Sequence, residues 1–384
     1  MKMSEKRPLE LYVHVPFCVR KCQYCDFLSF PAEEGMRDAY TDALIREIRA
    51  VFEASEFAAA TVFFGGGTPS LLSAKAIRAV MGALKERFSF SEDAEITIEA
   101  NPGTLDMSKL AGYREAGINR LSLGLQSTDD AELKLLGRIH DYRTFEETYR
   151  LAREAGFANI NLDLMCALPG QTLAGWERTL KTAAAFRPEH ISAYSLILEE
   201  GTPFYRRFGS GDSAGLCLPS EETERAMYRR TGEILGTLGY ERYEISNYAR
   251  PGRACRHNEG YWTGAEYLGL GLGAASYVDG VRFANTVSLE RYLDRAGEPG
   301  ALREEIHCLT DEERQEEFFF LGLRRMAGVS REAYRRRFGE DWQRYEPKLR
   351  RLLTMGFLEE TKEGVRLTDA GVDVSNAVFA ELLT

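Results

Sequence analysis

Six short apolar runs, each followed by a stretch with helical patterning, constrain this chain more than any other feature. The runs Leu11–Pro16, Ala60–Gly65, Glu95–Asn101, Arg120–Gln126, Asn159–Leu168 and His190–Leu198 are rich in Val, Ile, Leu, Phe and Tyr and read as strands. Between them, apolar residues at helical spacing cover Arg37–Phe52, Ala74–Phe88, Ser108–Ala116, Thr144–Ala155 and Leu173–Phe186. Such alternation implies a parallel sheet with helices packed outside it. Right-handed crossovers then roll six units into a partial barrel, so the expected fold class is α/β, a partial (β/α)6 TIM-like barrel.

Strand side chains alternate between two faces. One face carries Leu11, Val13 and Val15, then Ile96 and Ile98, Leu121, Leu123 and Leu125, and Ile160, Leu162 and Leu164, a set suited to packing against helices. The other carries Tyr12 and His14, then Glu95, Thr97, Glu99 and Asn101, Ser122 and Gln126, and Asn159, Asn161 and Asp163. A closed eight-stranded barrel fills its interior with branched apolar side chains, whereas this inner face is polar. The pattern predicts a ligand-holding hollow; an open sheet with its polar face in solvent is the other arrangement it allows.

From about Cys308 the strand–helix rhythm stops. Helical patterns at Thr310–Arg325, Arg331–Phe338 and Trp342–Met355 precede a hairpin, Phe357–Glu360 with Val365–Thr368, and a last helix, Asp369–Leu383. This predicts a mainly helical, winged-helix-like C-terminal domain. The expected organisation is a barrel with an extension over residues 1–289, a polar linker over 290–305 containing Gly297, Pro299 and Gly300, and a C-terminal cap over 306–384. Such modules often bind DNA, which would make the chain a nucleic-acid-linked regulator. Acidic residues outnumber basic ones in this segment, however, and Arg335–Arg337 reads as a solvated helix face.

The whole chain carries 49 Lys+Arg against 59 Asp+Glu, a formal charge of −10. Binding to nucleic acid or anionic lipid needs clustered cations, so no nucleic-acid partner is expected. No apolar run approaches the roughly 18 residues that span a bilayer, and Met1–Glu10 lacks the apolar core of a secretory signal; the expected setting is the cytoplasm. Of seven cysteines, Cys18, Cys22 and Cys25 fall within eight residues. In a reducing compartment such a cluster points to metal or catalysis before disulfides.

The segment Tyr12-Val-His-Val-Pro-Phe-Cys18-Val-Arg-Lys-Cys22-Gln-Tyr-Cys25 runs from a strand straight into a loop with C-x3-C-x2-C spacing. Three thiolates from one loop suit three irons of a [4Fe–4S] cube and leave the fourth open. Zinc is the alternative, but a structural zinc site takes four ligands, usually from two C-x2-C pairs, and no second pair exists here. The Gly65-Gly66-Gly67-Thr68-Pro69 run ends the second strand, where glycines permit either close backbone approach to a ligand or simply a tight turn. Glu99, Gln126 and Asp163 fall at or near the ends of the next three strands, on the face where barrel sites assemble.

The cysteine spacing on the first strand–helix loop resembles the radical S-adenosylmethionine (SAM) superfamily, from about Leu9 to Tyr277. In that superfamily the methionine amino and carboxylate groups chelate the open iron, and an electron from the cluster cleaves the sulfonium to a 5′-deoxyadenosyl radical. Tyr12-x-His14-x-Pro-Phe-Cys, Phe64-Gly-Gly-Gly-Thr-Pro-Ser70, Glu99-x-Asn-Pro102, Gly124-x-Gln126-Ser, Leu136-Gly-Arg138-x-His140 and Asn161-x-Asp163-Leu together resemble the anaerobic coproporphyrinogen III oxidase family. The resemblance implies SAM contacts by Tyr12, Gly66, Gly67, Thr68, Glu99, Gln126, Arg138, Asp163 and Ser195. Arg138 would suit a carboxylate of SAM or substrate through its planar fork; a surface salt bridge is its other reading.

Within that family the oxidases carry a fourth cysteine two residues after the third, where this chain has Phe27. His257-Asn-Glu-Gly-Tyr261-Trp262 resembles instead the His-Asn-x-x-Tyr-Trp motif of the HemW-type haem chaperone branch. That resemblance implies haem as cofactor, with His257 as axial ligand and Tyr261 and Trp262 covering the macrocycle. Without it, His257 would read as a loop cap and Trp262 as core. It further implies delivery of haem to an acceptor, a membrane-bound respiratory enzyme being one, and leaves a homodimer open. Oxygen-independent oxidation of coproporphyrinogen III is the rival activity.

Overall fold

A computed structural model describes residues 6–51, 56–209 and 216–383. Strands β1 (Arg7–Val15), β2 (Phe57–Gly66), β3 (Ser89–Ala100), β4 (Arg120–Gln126), β5 (Ile160–Cys166) and β6 (His190–Ser195) alternate with helices α1 (Glu34–Ala50), α2 (Ala74–Arg87), α3 (Met107–Ala116), α4 (Asp130–Leu135), α5 (Tyr142–Glu154) and α6 (Leu173–Ala185). Phe52, expected at the end of the first helix, lies outside the described residues. Helix starts follow local chemistry: Ser73, Asp106, Asp129, Asp141 and Thr172 each cap a helix by accepting a backbone N–H, which satisfies donors left orphaned in the first turn.

All neighbours from β1 to β6 are parallel. The barrel stays partial, because β6 and β1 each take a different neighbour. After α7 (Pro203–Phe208) and α8 (Glu221–Thr237), β7 (Glu241–Arg242) and β8 (Asn247–Ala249) extend the β6 side antiparallel. After α9 (Arg256–Thr263), β9 (Tyr267–Leu270) pairs parallel with β1, and β10 (Ala275–Val278), β11 (Val281–Asn285) and β12 (Arg303–Cys308) continue outward. The result is one twelve-stranded sheet.

The apolar strand faces behave as expected. Leu11, Val13, Val62, Phe64, Ile98, Leu121, Leu123, Ile160 and Leu162 are fully buried in one core, each contributing roughly 1.5–3 kcal/mol of transfer free energy. The polar faces turn inward, but much of the interior is filled by their own hydrogen bonds. Asn161 donates through Nδ2 to Ser122 Oγ and Asp163 Oδ1, both at 2.7 Å. His190 lies 2.6 Å from Asn161 Oδ1 and 2.8 Å from the Tyr243 hydroxyl. Arg120 is buried among these groups. A cavity lined by Gly66, Glu99, Gln126 and Asp163 opens at the C-terminal strand ends.

The stretch 290–305, expected as a linker, is folded. It contains most of α10 (Leu289–Arg295), α11 (Pro299–Leu302) and the start of β12. Tyr292, Ala296 and Leu302 are fully buried, and the Tyr292 hydroxyl donates to buried Glu47 at 2.6 Å. These three anchors outweigh the Gly, Pro and charged residues around them.

A second core follows in α12 (Asp311–Gly322), α13 (Arg331–Phe338) and α14 (Glu346–Thr354), with a small antiparallel sheet of β13 (Val329–Ser330), β14 (Leu358–Glu360) and β15 (Gly364–Leu367). This is the winged-helix-like domain. Its last helix is two, α15 (Asp369–Asp373) and α16 (Ser375–Leu382), interrupted at Val374. In the basic run, Arg335 pairs with Asp341 at 2.7 Å and Arg337 donates to the Thr263 carbonyl at 2.9 Å. Among the described residues no helix is long and apolar enough to cross a membrane.

Candidate functional site

The cysteine loop leaves β1 at Val15 and closes on itself through backbone bonds, Cys18 N to Phe30 O at 3.1 Å and Phe30 N to Pro16 O at 2.9 Å. It is then pinned from outside. Gln23 N donates to Leu136 O, Phe204 N donates to Gln23 O, and Arg20 donates to Gly137 O. Short pinned loops hold their side chains in place, as a multi-thiolate site requires.

Cys18, Cys22 and Cys25 are free, half-buried and line one cavity of about 280 Å³ at the C-terminal ends of the strands. Gly66, Gly67, Thr68, Glu99, Gln126, Arg138 and Asp163 line it too. Seven of the nine residues expected at SAM therefore surround the three thiols. The donors are three thiols on one short loop, all opening on the same cavity. A cube attaches each thiolate to a different iron, so the donor set fits a cluster.

A chain of contacts joins two of the cysteines. Cys18 Sγ lies 3.5 Å from Thr68 Oγ1, which accepts from Asn101 Nδ2 at 2.9 Å. Asn101 Oδ1 accepts from Arg138 Nη2 at 2.5 Å, and Arg138 Nη1 reaches Cys22 Sγ at 3.6 Å. The guanidinium also donates to Gly124 O at 2.8 Å. Arg138 thus makes no surface salt bridge; it puts a permanent positive charge beside a thiol that must become thiolate to bind iron.

The glycine run approaches the loop rather than open space. Gly67 N donates to Val15 O and Thr68 N to Phe17 O, so neither N–H is free for a ligand. A Cβ on Gly67 would fall 2.7 Å from Phe17 O, and one on Gly66, at φ +112°, 2.5 Å from the His14 ring. Gly66 N–H is directed to the Glu99 carboxylate. Burial, reinforced by Asp163, raises the Glu99 pKa to about 8, which favours its protonated form. Burial also raises Asp163, against hydrogen bonds from Asn161 and Ser122. Gln126 adopts a left-handed backbone, φ 68°, at a break in the β4–β5 register, and its Oε1 accepts from Tyr194 at 3.0 Å. Such conformations persist where the surroundings enforce them, commonly at sites.

Of the other two residues expected at SAM, Tyr12 faces the same interior beside Glu99 and Ser195 does not. Tyr12 points inward level with Phe63 and Thr97, one inward position below Glu99, and its hydroxyl is 3.0 Å from His14 Nδ1. Ser195 has the outward phase of β6; its Oγ sits 3.4 Å from Cys166 Sγ, beside Glu224 and Tyr228. Asn101, Tyr24 and Tyr194 line the cavity as well. Period-two phasing along β6 finds Tyr194, and the Glu99-x-Asn101 spacing puts Asn101 on the same face as Glu99.

The expected haem ligand also needs correction. His257 is 1% exposed. Its Nδ1 is 2.6 Å from Thr61 Oγ1 and its Nε2 3.0 Å from the Tyr261 hydroxyl, so neither nitrogen is open to an iron. The ring stacks on Phe63 at 5.1 Å. Burial, reinforced by Arg120, lowers its pKa to about 3, which keeps it neutral. Tyr261 covers this histidine rather than a macrocycle, and Trp262 receives the Arg324 guanidinium over its ring at 4.4 Å. Helix α9 thereby packs into the barrel interior and meets the C-terminal domain, where Arg325 pairs with Glu259 at 3.4 Å.

Residues 12–183 match the Radical SAM superfamily, and residues 309–374 match the HemN C-terminal domain. The heme chaperone HemW of Bacillus subtilis is 38% identical over 97% of this chain and 98% of its own length. The heme chaperone HemW of Escherichia coli is 34% identical over 96% of each. Among solved structures, coproporphyrinogen III oxidase (HemN) from Escherichia coli, a radical SAM enzyme, superposes with a TM-score of 0.85 at 26% identity, covering 100% of this chain and 92% of that one. With likeness of this extent at both the barrel and the C-terminal domain, the chain belongs to the HemW family of the radical SAM superfamily.

Proposed function

We propose that this protein is a haem chaperone. It holds a [4Fe–4S] cluster on Cys18, Cys22 and Cys25, takes SAM at the open iron, and hands haem to acceptor haemoproteins, a membrane-bound respiratory enzyme among them, from the cytoplasm. When bound, the cluster supplies an electron and a coordination position for the methionine end of SAM. The chain's own groups do the positioning. Thr68, Gln126 and Arg138 offer hydrogen bonds around the cavity, and Glu99 in its protonated form can donate as well as accept.

The observation that carries the chaperone reading over the oxidase reading is Phe27. It stands 70% exposed at the cavity rim, where the oxidases carry a fourth cysteine, and the near-full-length likeness to HemW proteins agrees with it. The structural likeness to HemN favours the rival, and one experiment separates them. Reconstituted protein is incubated anaerobically with coproporphyrinogen III, SAM and a reductant, and separately titrated with haem. Haem uptake without protoporphyrinogen formation is expected; turnover to protoporphyrinogen with deoxyadenosine release would replace the chaperone by an oxidase.

A further inference from the structure

A second hollow, of about 730 Å³, is larger than the cluster cavity. It lies on the other side of the cysteine loop, between α4, the loop after β5 and α7, with Gln23 in its wall. That volume falls in the upper part of the ~300–1,000 Å³ range of small-molecule sites. Leu135, Pro169, Phe204 and Leu216 give it apolar walls, backed by a separate core of Leu136, Met165, Leu168 and Phe208. Its charged groups are unequal. Glu132 accepts from Ser127 and Gln171, and Asp129 caps α4, so both acids have partners already. Lys134 and Arg207 are exposed at the same hollow and form no ion pair among the described residues.

Apolar side chains beside these two cations suit a flat ligand with carboxylates at its edge. We propose that this hollow is the tetrapyrrole site, its walls covering the macrocycle and Lys134 and Arg207 taking the propionates. The proposal rests on the haem-chaperone reading and supplies the site that buried His257 does not. No His, Cys, Met or Tyr is among the residues lining the hollow, so it recognises the ring and its carboxylates rather than the iron. Metal-free protoporphyrin IX should therefore bind about as well as haem.

The test uses full-length, cluster-reconstituted protein under anaerobic conditions, titrated with haem by absorbance and with protoporphyrin IX by its own fluorescence. The comparison is with the double variant Lys134→Glu, Arg207→Glu. Both side chains are exposed and outside the cluster cavity, so an unchanged cluster spectrum reports an intact fold. The site requires that protoporphyrin IX displaces haem from the wild type, and that the double variant binds both at least about tenfold more weakly, the wild-type affinity falling with added salt. Equal affinity in the variant, or failure of protoporphyrin IX to displace haem, overturns this site while haem uptake by the wild type leaves the chaperone reading standing. No haem uptake by the wild type overturns both.

Discussion

His257→Ala tests whether this histidine is a ligand or a piece of the barrel interior. The substitution removes a buried ring stacked on Phe63 and strands two hydroxyls, those of Thr61 and Tyr261. Deleting a buried aromatic side chain costs about 3–5 kcal/mol, and each stranded buried hydroxyl about 1–3 kcal/mol when not rehydrated. Partial collapse and water entry recover some of this, so the expected net loss is roughly 5 kcal/mol. For a chain of this size that corresponds to a fall in Tm of about 6–8 °C. The assay is thermal and urea unfolding of the haem-free protein, where a haem ligand would contribute nothing. The loss should also change with pH. A histidine held near pKa 3 in the fold and near 6.5 when unfolded binds its proton only in the unfolded chain between those values. The wild type therefore loses up to about 1.4 kcal/mol per pH unit as acidity increases through that window, and the variant loses correspondingly less. A haem-free variant as stable as the wild type, yet unable to take up haem, would refute the buried role and restore His257 as a ligand.

Three further outcomes follow from the same geometry. Glu10 is buried, its Oε2 without a hydrogen bond and 3.8 Å from His257 Nδ1, and burial beside Glu95 raises its pKa to about 9; the fold holds a proton there that the unfolded chain releases above about pH 4.5. Wild-type stability should thus decline as pH rises from 4.5 towards 9, and Glu10→Gln should flatten that part of the profile in urea titrations, whereas identical profiles would show that Glu10 is ionised in the fold. Arg138→Lys keeps the charge but cannot bond Asn101, Gly124 O and Cys22 together, so iron retention on dilution should fall several-fold with little change in Tm. Gly66→Ala forces a side chain onto the His14 ring at φ +112°, a strain of about 1–3 kcal/mol that should lower Tm and loosen the adjoining loop, read as faster loss of reconstituted iron.

The barrel was legible because its signals are local. Period two assigned the apolar and polar faces, and the inward phase that holds Glu99 also holds Asn101, while the inward phase of β6 holds Tyr194 rather than Ser195. Ser195 was reached by resemblance, which carried a residue across without its facing. The interior was harder, since polarity on a strand does not distinguish a ligand-filled hollow from a set of side chains that satisfy one another, as Asn161, Ser122 and His190 do. Helix α9 illustrates a longer-range failure. Gly260 marks its close packing, because a Cβ there would fall 1.8 Å from Glu10 Oε1, yet residues 250 positions apart declare no such contact in one sequence. The strands flanking the six parallel ones were also hidden: β7 and β8 have two and three residues, too short for any periodicity, and β12 is largely exposed and charged.

The central claim is that three thiols of one loop hold a cube with one open iron. Electron paramagnetic resonance of the anaerobically reconstituted, reduced protein tests it most directly, recorded with and without SAM for the wild type and for Cys18→Ala, Cys22→Ala and Cys25→Ala. A cubane signal that shifts when SAM is added, and that is lost in each of the three variants, is the expected result. A signal that survives loss of any one of these cysteines, or a wild-type signal indifferent to SAM, would contradict it.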